Sequence, residues 1–388
     1  MSLFRNEAIN RVNLHYAVLQ LAQSGADVFV FVYLLRAGVS VPLTLCTLSA
    51  TLVVRLALRP LVLAVARRSG IRTTLVIGTL LEAAMFPILP AVHGPDAALL
   101  AVIVVGALAG VFYWTSHHAY FAAVGDVAQR GGQIGTREAI AAVIGVAAPL
   151  AGGWALVRLG AVVAFGAAAV VQVLAALPLL GAPEVRVQPE APGGFRAAWP
   201  GVALMLADGW FGAGFTFVWQ IALFVTLGQS FTAYGGAMAL AGLAGGVLSL
   251  GVGRLVDLGH TRRSVALASA LGGGLLVLQA FAYGTPWLAT LANALGPLVH
   301  GSMTPVVMSR LYNLAQASPC PMRFTVASEG GWDLGCGACC LAAAGLVWAG
   351  LPLSIAMLLS LAGAVAVGAL LWRQDTAATG VPAHQPIA

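Results

Sequence analysis

Four ionisable side chains, Asp27, Arg55, Glu82 and Asp208, are singled out because each stands inside a long apolar run. An ionised group costs about 2.5–3.5 kcal/mol at the centre of a membrane helix, so such residues are expected to face a water-filled cavity or a partner. A carboxylate in a low-dielectric cavity is suited to exchanging a proton, because desolvation favours the neutral form. Asp27 is the first candidate for proton coupling, with Arg55, Glu82 and Asp208 as further coupling or solute-binding groups. The structural alternative is an Asp27–Arg55 ion pair that holds the first half of the chain together, since an unpaired buried charge is costly.

Residues 112–120 (F-Y-W-T-S-H-H-A-Y) form the densest polar-aromatic segment. His117 and His118 titrate near neutral pH and suit a proton relay or a metal, and Trp114 suits stacking on an apolar or cationic solute. Trp and Tyr also gather at membrane interfaces as anchors. Adjacent helical positions point about 100° apart, so one of the two histidines at most is expected to face a central cavity. His300, Trp219 and Gln220 complete the candidate cavity set. Asp27, His117, His300 and Asp208 together would suit a metal carrier. The preferred reading assigns no metal and no cofactor. Five cysteines occur (Cys46, Cys320, Cys336, Cys339 and Cys340), three of them in G-C-G-A-C-C. They read as small residues that let helices pack closely, in preference to a redox or metal site.

The elements that must position these groups follow from composition. The 388 residues are 60% hydrophobic and 8% charged, against roughly 25% charged residues in an average soluble domain, which excludes a soluble globular fold. Apolar stretches of about 20 residues, enough to cross a ~30 Å hydrocarbon core, recur along the chain. They predict an all-α polytopic membrane protein with twelve transmembrane helices near 13–36, 41–66, 73–93, 97–122, 137–157, 160–181, 199–227, 231–253, 264–283, 286–309, 329–350 and 352–372. The first span is expected to stay in the mature protein, because no small-residue cleavage pattern follows it. Basic residues are all Arg. With both termini cytoplasmic, Arg5, Arg11, Arg67, Arg68, Arg72, Arg130, Arg137, Arg186, Arg196, Arg262, Arg263, Arg310, Arg323 and Arg373 fall at the cytoplasmic face, while Arg36 and Arg158 fall outside. The positive-inside rule therefore orients the chain in an inner membrane. The net charge of +6 is thus explained by the bilayer and not by nucleic acid. Residues 182–200, rich in Pro, Gly and charge, read as a flexible cytoplasmic linker between a six-helix bundle, 1–181, and a second one, 201–388.

The halves show traces of duplication. Gly25-Ala26 matches Gly212-Ala213 and Ala128-Gln129 matches Ala315-Gln316 at an offset of 187, at which His300 also takes the place of Tyr113; Gly38 matches Gly228 at 190 and Glu138 matches Glu329 at 191. Two halves of the same polarity form the parallel repeat of one large transporter class. The loop at 253–263, G-R-L-V-D-L-G-H-T-R-R, resembles the signature G-x-L-a-D-r-x-G-r-r of the major facilitator superfamily through Gly253, Leu255, Asp257, Arg262 and Arg263. The corresponding first-half loop keeps Arg68, Gly70 and Arg72 but has Leu63 and Arg67 in place of Gly and Asp. That resemblance implies a cytoplasmic gate in which Arg68 or Arg72 meets Glu138, and Arg262 or Arg263 meets Glu329, with Asp257 in the same loop. The acidic pair near predicted helix starts is equally explained by the helix dipole. Residues 145–153, G-V-A-A-P-L-A-G-G, resemble a pattern frequent in proton-coupled drug antiporters of the same superfamily. Pro149 would bend the helix there, and Gly152 and Gly153 would allow close approach.

The resemblance implies a monomeric secondary transporter of a small solute, proton-coupled, with efflux of small amphipathic compounds favoured. Proton-linked uptake of a polar nutrient is the alternative within the fold, and a membrane-embedded enzyme the alternative outside it. No metalloprotease or nucleophile-elbow motif is present, and without Lys there is no phosphate-binding P-loop.

Overall fold

In the computed structural model the described residues are 6–125, 130–188, 190–256 and 261–379. They are almost entirely helical. In chain order the helices are α1 (Glu7–Gly25), α2 (Val30–Arg36), α3 (Val41–Ser69), α4 (Ile71–Met85), α5 (Ala97–Val124), α6 (Arg130–Arg158), α7 (Ala161–Ala175) and α8 (Leu177–Leu180). They continue as α9 (Trp199–Gly212), α10 (Trp219–Thr226), α11 (Phe231–Val256), α12 (Thr261–Ala282), α13 (Pro286–Ala294), α14 (Gly296–Ala317), α15 (Pro321–Trp348), α16 (Leu353–Leu358) and α17 (Leu361–Thr379).

Local chemistry accounts for where helices begin and end. Asn6 caps α1 by accepting from the Ile9 amide at 3.1 Å, and Asp96 caps α5 through the Leu99 amide at 2.9 Å, each satisfying a donor the first turn leaves open. Asp96 lies outside the apolar spans, and the backbone amides of His93 and Leu99 hold its carboxyl below the usual carboxylate range. Prolines enter α9, α13, α14 and α15 within their first two positions, where the missing N–H costs nothing. Gly70 and Gly160 take φ of 93° and 82° and turn the chain between adjacent helices, a conformation that glycine adopts freely.

Among the described residues, nine helical stretches are long and apolar enough to cross a membrane. Helices α6, α11 and α14 add further stretches of 29, 26 and 22 residues. Six spans read as continuous from the sequence are interrupted, the third by a 3₁₀ segment at Phe86–Ala91 and the sixth at Ala176. The first breaks into a 3₁₀ turn at Asp27–Phe29, and the seventh into a π-helical segment at Ala213–Val218. The tenth breaks at Leu295 ahead of Pro297, and the last at Leu359 and Ser360. Apolarity sets the length of a span, but these breaks are decided by neighbours. Ser360 donates to the Trp210 carbonyl at 3.0 Å and accepts from the Gly214 amide at 2.8 Å, so it satisfies backbone groups at the π segment.

The expected linker is also less free than its composition suggests. Val185 accepts from the Ile71 amide at 2.9 Å, Pro183 accepts from the Tyr120 hydroxyl at 2.6 Å, and Glu184 accepts from the Thr73 hydroxyl at 2.7 Å. Its first part is therefore docked against the start of α4 and the end of α5.

Packing between helices before residue 181 and helices after residue 200 concentrates on two pairs, α6 with α11 and α3 with α15. The first is a glycine contact. A Cβ at Gly235 would lie 2.5 Å from the Pro149 carbonyl oxygen, one at Gly242 would lie 2.5 Å from the backbone of Gly145, and one at Gly153 would lie 2.6 Å from the Phe231 carbonyl oxygen. Helix α6 runs through Pro149 without ending there. The bend expected from Pro149, Gly152 and Gly153 is thus a contact surface for α1 and α11, with no break in the helix.

Candidate functional site

The main cavity has a volume of about 520 Å³ and draws its lining from most of the long helices. The segment from α1 to α2 supplies Tyr16, Gln23, Asp27 and Phe31; α3 supplies Thr47, Thr51 and Arg55; α4 supplies Glu82 and Met85. Trp114 and His118 come from α5, Gln172 from α7, and Met205, Asp208 and Phe211 from α9. The π segment adds Phe215 and Phe217, α14 adds His300, Met303 and Met308, and α15 adds Glu329 and Trp332.

Helix breaks and small residues make this arrangement possible. Asp27 opens the 3₁₀ turn that follows Gly25 and Ala26, so its carboxylate leaves the regular helix and is accessible in the cavity. Gly110 on α5 leaves room for Arg55, whose Cδ would lie 3.2 Å from an added Cβ. The carboxamide of Gln172 on α7 donates to Glu82. Glu82 also lies within electrostatic range of Asp27 and Arg55, and Asp208 and Trp332 line the same cavity.

A dense charge network forms one side of the cavity wall, between α3 and α15. Arg55 Nη2 lies 2.7 Å from Asp333 Oδ1 and 3.7 Å from Glu329 Oε2. Arg59 Nε donates to Asp333 Oδ2 at 2.8 Å, its Nη2 makes a second contact to the same oxygen, and its Nη1 donates to Thr115 Oγ1 at 3.1 Å. His118 Nδ1 donates to Glu329 Oε1 at 2.8 Å. The guanidinium of Arg55 also sits over the Trp332 ring, 5.5 Å from its centroid. Both guanidiniums are thereby matched by carboxylates, as charges removed from water must be.

Seven of the ten residues expected to face a cavity do line this one: Asp27, Arg55, Glu82, Trp114, His118, Asp208 and His300. Three do not. His117 is fully buried and stacks on Tyr113 at 5.5 Å, behind the lining residues Tyr16 and Trp114 that its ring also meets. Trp219 is buried and donates to Asn293 Oδ1 at 3.1 Å, joining α10 to α13. Gln220 accepts from the Tyr234 hydroxyl. The contemplated Asp27–Arg55 pair is replaced by the pairing of Arg55 with Asp333 and Glu329. Asp27, His117, His300 and Asp208 do not come together, and no group of three or more metal-ligating side chains occurs among the described residues.

The gate residues fall differently from the family pattern. Asp257 lies outside the described residues, as do the side chains of Glu138, Arg262 and Arg263. Arg72 pairs with Glu184 at 3.3 Å and donates to the Ala182 carbonyl at 2.8 Å, clamping the docked linker. The Arg68 carbonyl accepts from Arg186 at 3.2 Å. Glu329 lies in the third turn of α15, because that helix starts at Pro321 and not at 329. It therefore belongs to the cavity network.

Arg59 and Asp333 were not singled out by sequence reasoning, although a signal exists. Arg55 and Arg59 are four apart on α3, and Glu329 and Asp333 are four apart on α15, spacings that put each pair on one helix face. His15 was missed as well. Its Nδ1 donates to the Ala175 carbonyl at 2.7 Å and its Nε2 lies 3.2 Å from the Tyr113 hydroxyl. A carbonyl only accepts, so the proton is on Nδ1 and Nε2 is left to accept from Tyr113. This histidine ties α1 to α5 and α7.

Two aromatic layers join helices before residue 181 to helices after residue 200. In one, Phe29 meets Tyr234 edge-on at 5.5 Å and Tyr33 stacks on Phe231 at 6.3 Å. In the other, Phe121 and His118 pack against Tyr312 at 5.4 and 5.9 Å.

Many long apolar helices surrounding a charged cavity make this a multi-pass membrane protein. No family model matches the sequence, and no curated protein does. The structure is similar to that of the human organic anion transporter MFSD10 (TETRAN), with a TM-score of 0.69 at 16% identity over 94% of this chain and 99% of that one. The chain thus has the fold of the major facilitator superfamily, as its loop motif implied.

Proposed function

We propose that the chain is a secondary transporter that moves a small solute across the bacterial inner membrane by alternating access. It does so as twelve spans in two six-helix bundles, 1–181 and 201–388, joined by the 182–200 segment, with both termini cytoplasmic and the protein active as a monomer. The observation that carries this reading is the cavity itself, lined by helices from before residue 181 and from after residue 200, with ionisable groups from both on its wall. Carboxylates in such a cavity suit proton coupling, for which Asp27 is the leading group and Glu82 and Asp208 the next. Efflux of amphipathic compounds is favoured by the aromatic and Met-rich lining and by the resemblance of 145–153. The cytoplasmic gate uses Arg68, Arg72, Glu138, Asp257, Arg262, Arg263 and Glu329, of which Glu329 also belongs to the network of Arg55, Arg59 and Asp333 on the cavity wall.

Everted inner-membrane vesicles from cells producing the chain test this reading. Respiration acidifies their interior and quenches an acridine dye, and a transported compound exchanged for protons restores the fluorescence. The expected result is restoration by a subset of apolar compounds, lost in Asp27→Asn vesicles and absent without the chain. Identical traces with and without the chain across cationic, anionic and neutral compounds would remove proton-coupled efflux.

A further inference from the structure

The charge arrangement of the cavity is one-sided in a way that names a solute class. Its two guanidiniums are already engaged, Arg55 with Asp333 at 2.7 Å and Arg59 with the other oxygen of the same carboxylate. Glu329 is taken up by His118 at 2.8 Å. Asp27, Glu82 and Asp208, by contrast, have no cationic partner within ion-pair distance among the described residues. Asp27 and Glu82 share one wall and interact electrostatically, while Asp208 reaches the cavity from α9 in the other half. The same cavity is lined by Phe31, Phe215, Phe217 and Trp114.

We infer that the cavity binds a monovalent organic cation with a large apolar body, its charge held by Asp27 and Glu82 or by Asp208 and its body on the aromatic wall. This rests on the transporter reading above. An anion entering the same space meets three carboxylates and must pull Arg55 from Asp333, leaving a buried charge uncompensated. A small hydrated cation gains the carboxylates but loses its water against aromatic walls. A delocalised cation keeps its charge near the carboxylates, is attracted to ring faces and sheds little hydration. The volume of about 520 Å³ lies within the range of drug-sized ligand pockets. The inferred charge is opposite to that of the organic anions for which the similar human transporter is named.

Tetraphenylphosphonium and tetraphenylborate provide the test, because they have nearly the same shape and opposite charge. Equilibrium binding is measured on the full chain in nanodiscs, with empty nanodiscs as the partition control. The expected result is saturable phosphonium binding at one site per chain, not competed by the borate and weakened about tenfold or more by Asp27→Asn, Glu82→Gln or Asp208→Asn. These substitutions keep side-chain shape, and variants that elute and unfold as the parent does are the ones compared. Equal or tighter borate binding, or phosphonium binding unchanged in all three variants, overturns the inference. Absence of saturable phosphonium binding overturns it too. The transporter reading stands or falls separately on solute-driven proton flux in the vesicles.

Discussion

Asp333 receives two guanidiniums, Arg55 on Oδ1 and Arg59 on Oδ2, at a side chain with 0% exposure. Removing its charge leaves Arg59 without its carboxylate and Arg55 with Glu329 alone at 3.7 Å, whereas removing Arg59 leaves Asp333 with Arg55. Asp333→Asn is therefore expected to destabilise the protein by about 3–5 kcal/mol, the cost of breaking a buried pair, and Arg59→Met by clearly less. Thermal unfolding in one detergent reads both. Equal midpoints would mean that Asp333 does not join the two arginines. The same residues show how far a single sequence goes. Asp27, Arg55, Glu82 and Asp208 were legible because a charge in an apolar run needs a cavity or a partner, and each of them lines the cavity. Which partner each takes was not legible, since Arg59 and Asp333 are separated by 274 positions and meet only through the packing of α3 on α15. His117 and Trp219 were misplaced for a related reason. A polar-aromatic residue has the same composition signature whether it faces a cavity or a neighbouring helix.

At the scale of elements, the repeated dipeptide marks the same event in both halves. Gly25-Ala26 precedes the 3₁₀ turn at Asp27, and Gly212-Ala213 opens the π segment that carries Phe215 and Phe217 into the cavity. Non-α segments within membrane helices are tolerated where they line a cavity or are covered by protein. The repeat was visible in the sequence. The break was not, because whether a Gly-Ala step bends depends on what packs on it. Gly152 of α6 does so at the first site, where an added Cβ would overlap the Gly25 carbonyl oxygen. Overpacking a tight contact costs about 1–3 kcal/mol, so Gly152→Val is expected to lower the unfolding midpoint and to impair transport. Gly166 on α7 is the control, since nothing lies within 4 Å of its Cβ position. Gly166→Ala is expected to hold or raise the midpoint, as alanine favours a helix by up to about 1 kcal/mol. Equal loss from both substitutions would show that the α1–α6 contact has no special role.

At the scale of the whole molecule, two separate aromatic layers join helices before residue 181 to helices after residue 200, and the proposed alternating access requires that they open one at a time. Tyr33 and Phe231 form part of one layer, with rings 6.3 Å apart, and Phe121 and Tyr312 part of the other, at 5.4 Å. Each layer joins helices of the first half to helices of the second, so each must separate when its own side opens. Similarity to a solved transporter fold at 16% identity is consistent with a fold set by apolar length, helix breaks and small-residue contacts more than by individual side chains. Paired cysteines test the mechanism directly in a background lacking the five natural ones. Cross-linking Tyr33→Cys to Phe231→Cys with a cleavable bifunctional thiol reagent holds the first layer shut; Phe121→Cys with Tyr312→Cys holds the second. Either cross-link is expected to abolish solute-driven proton flux in vesicles, and cleavage of the reagent to restore it. Binding is expected to persist in detergent, where a ligand reaches the cavity through the end left free. Full flux through either cross-linked form would mean that the two ends do not alternate, because a solute would then be crossing with one layer permanently closed.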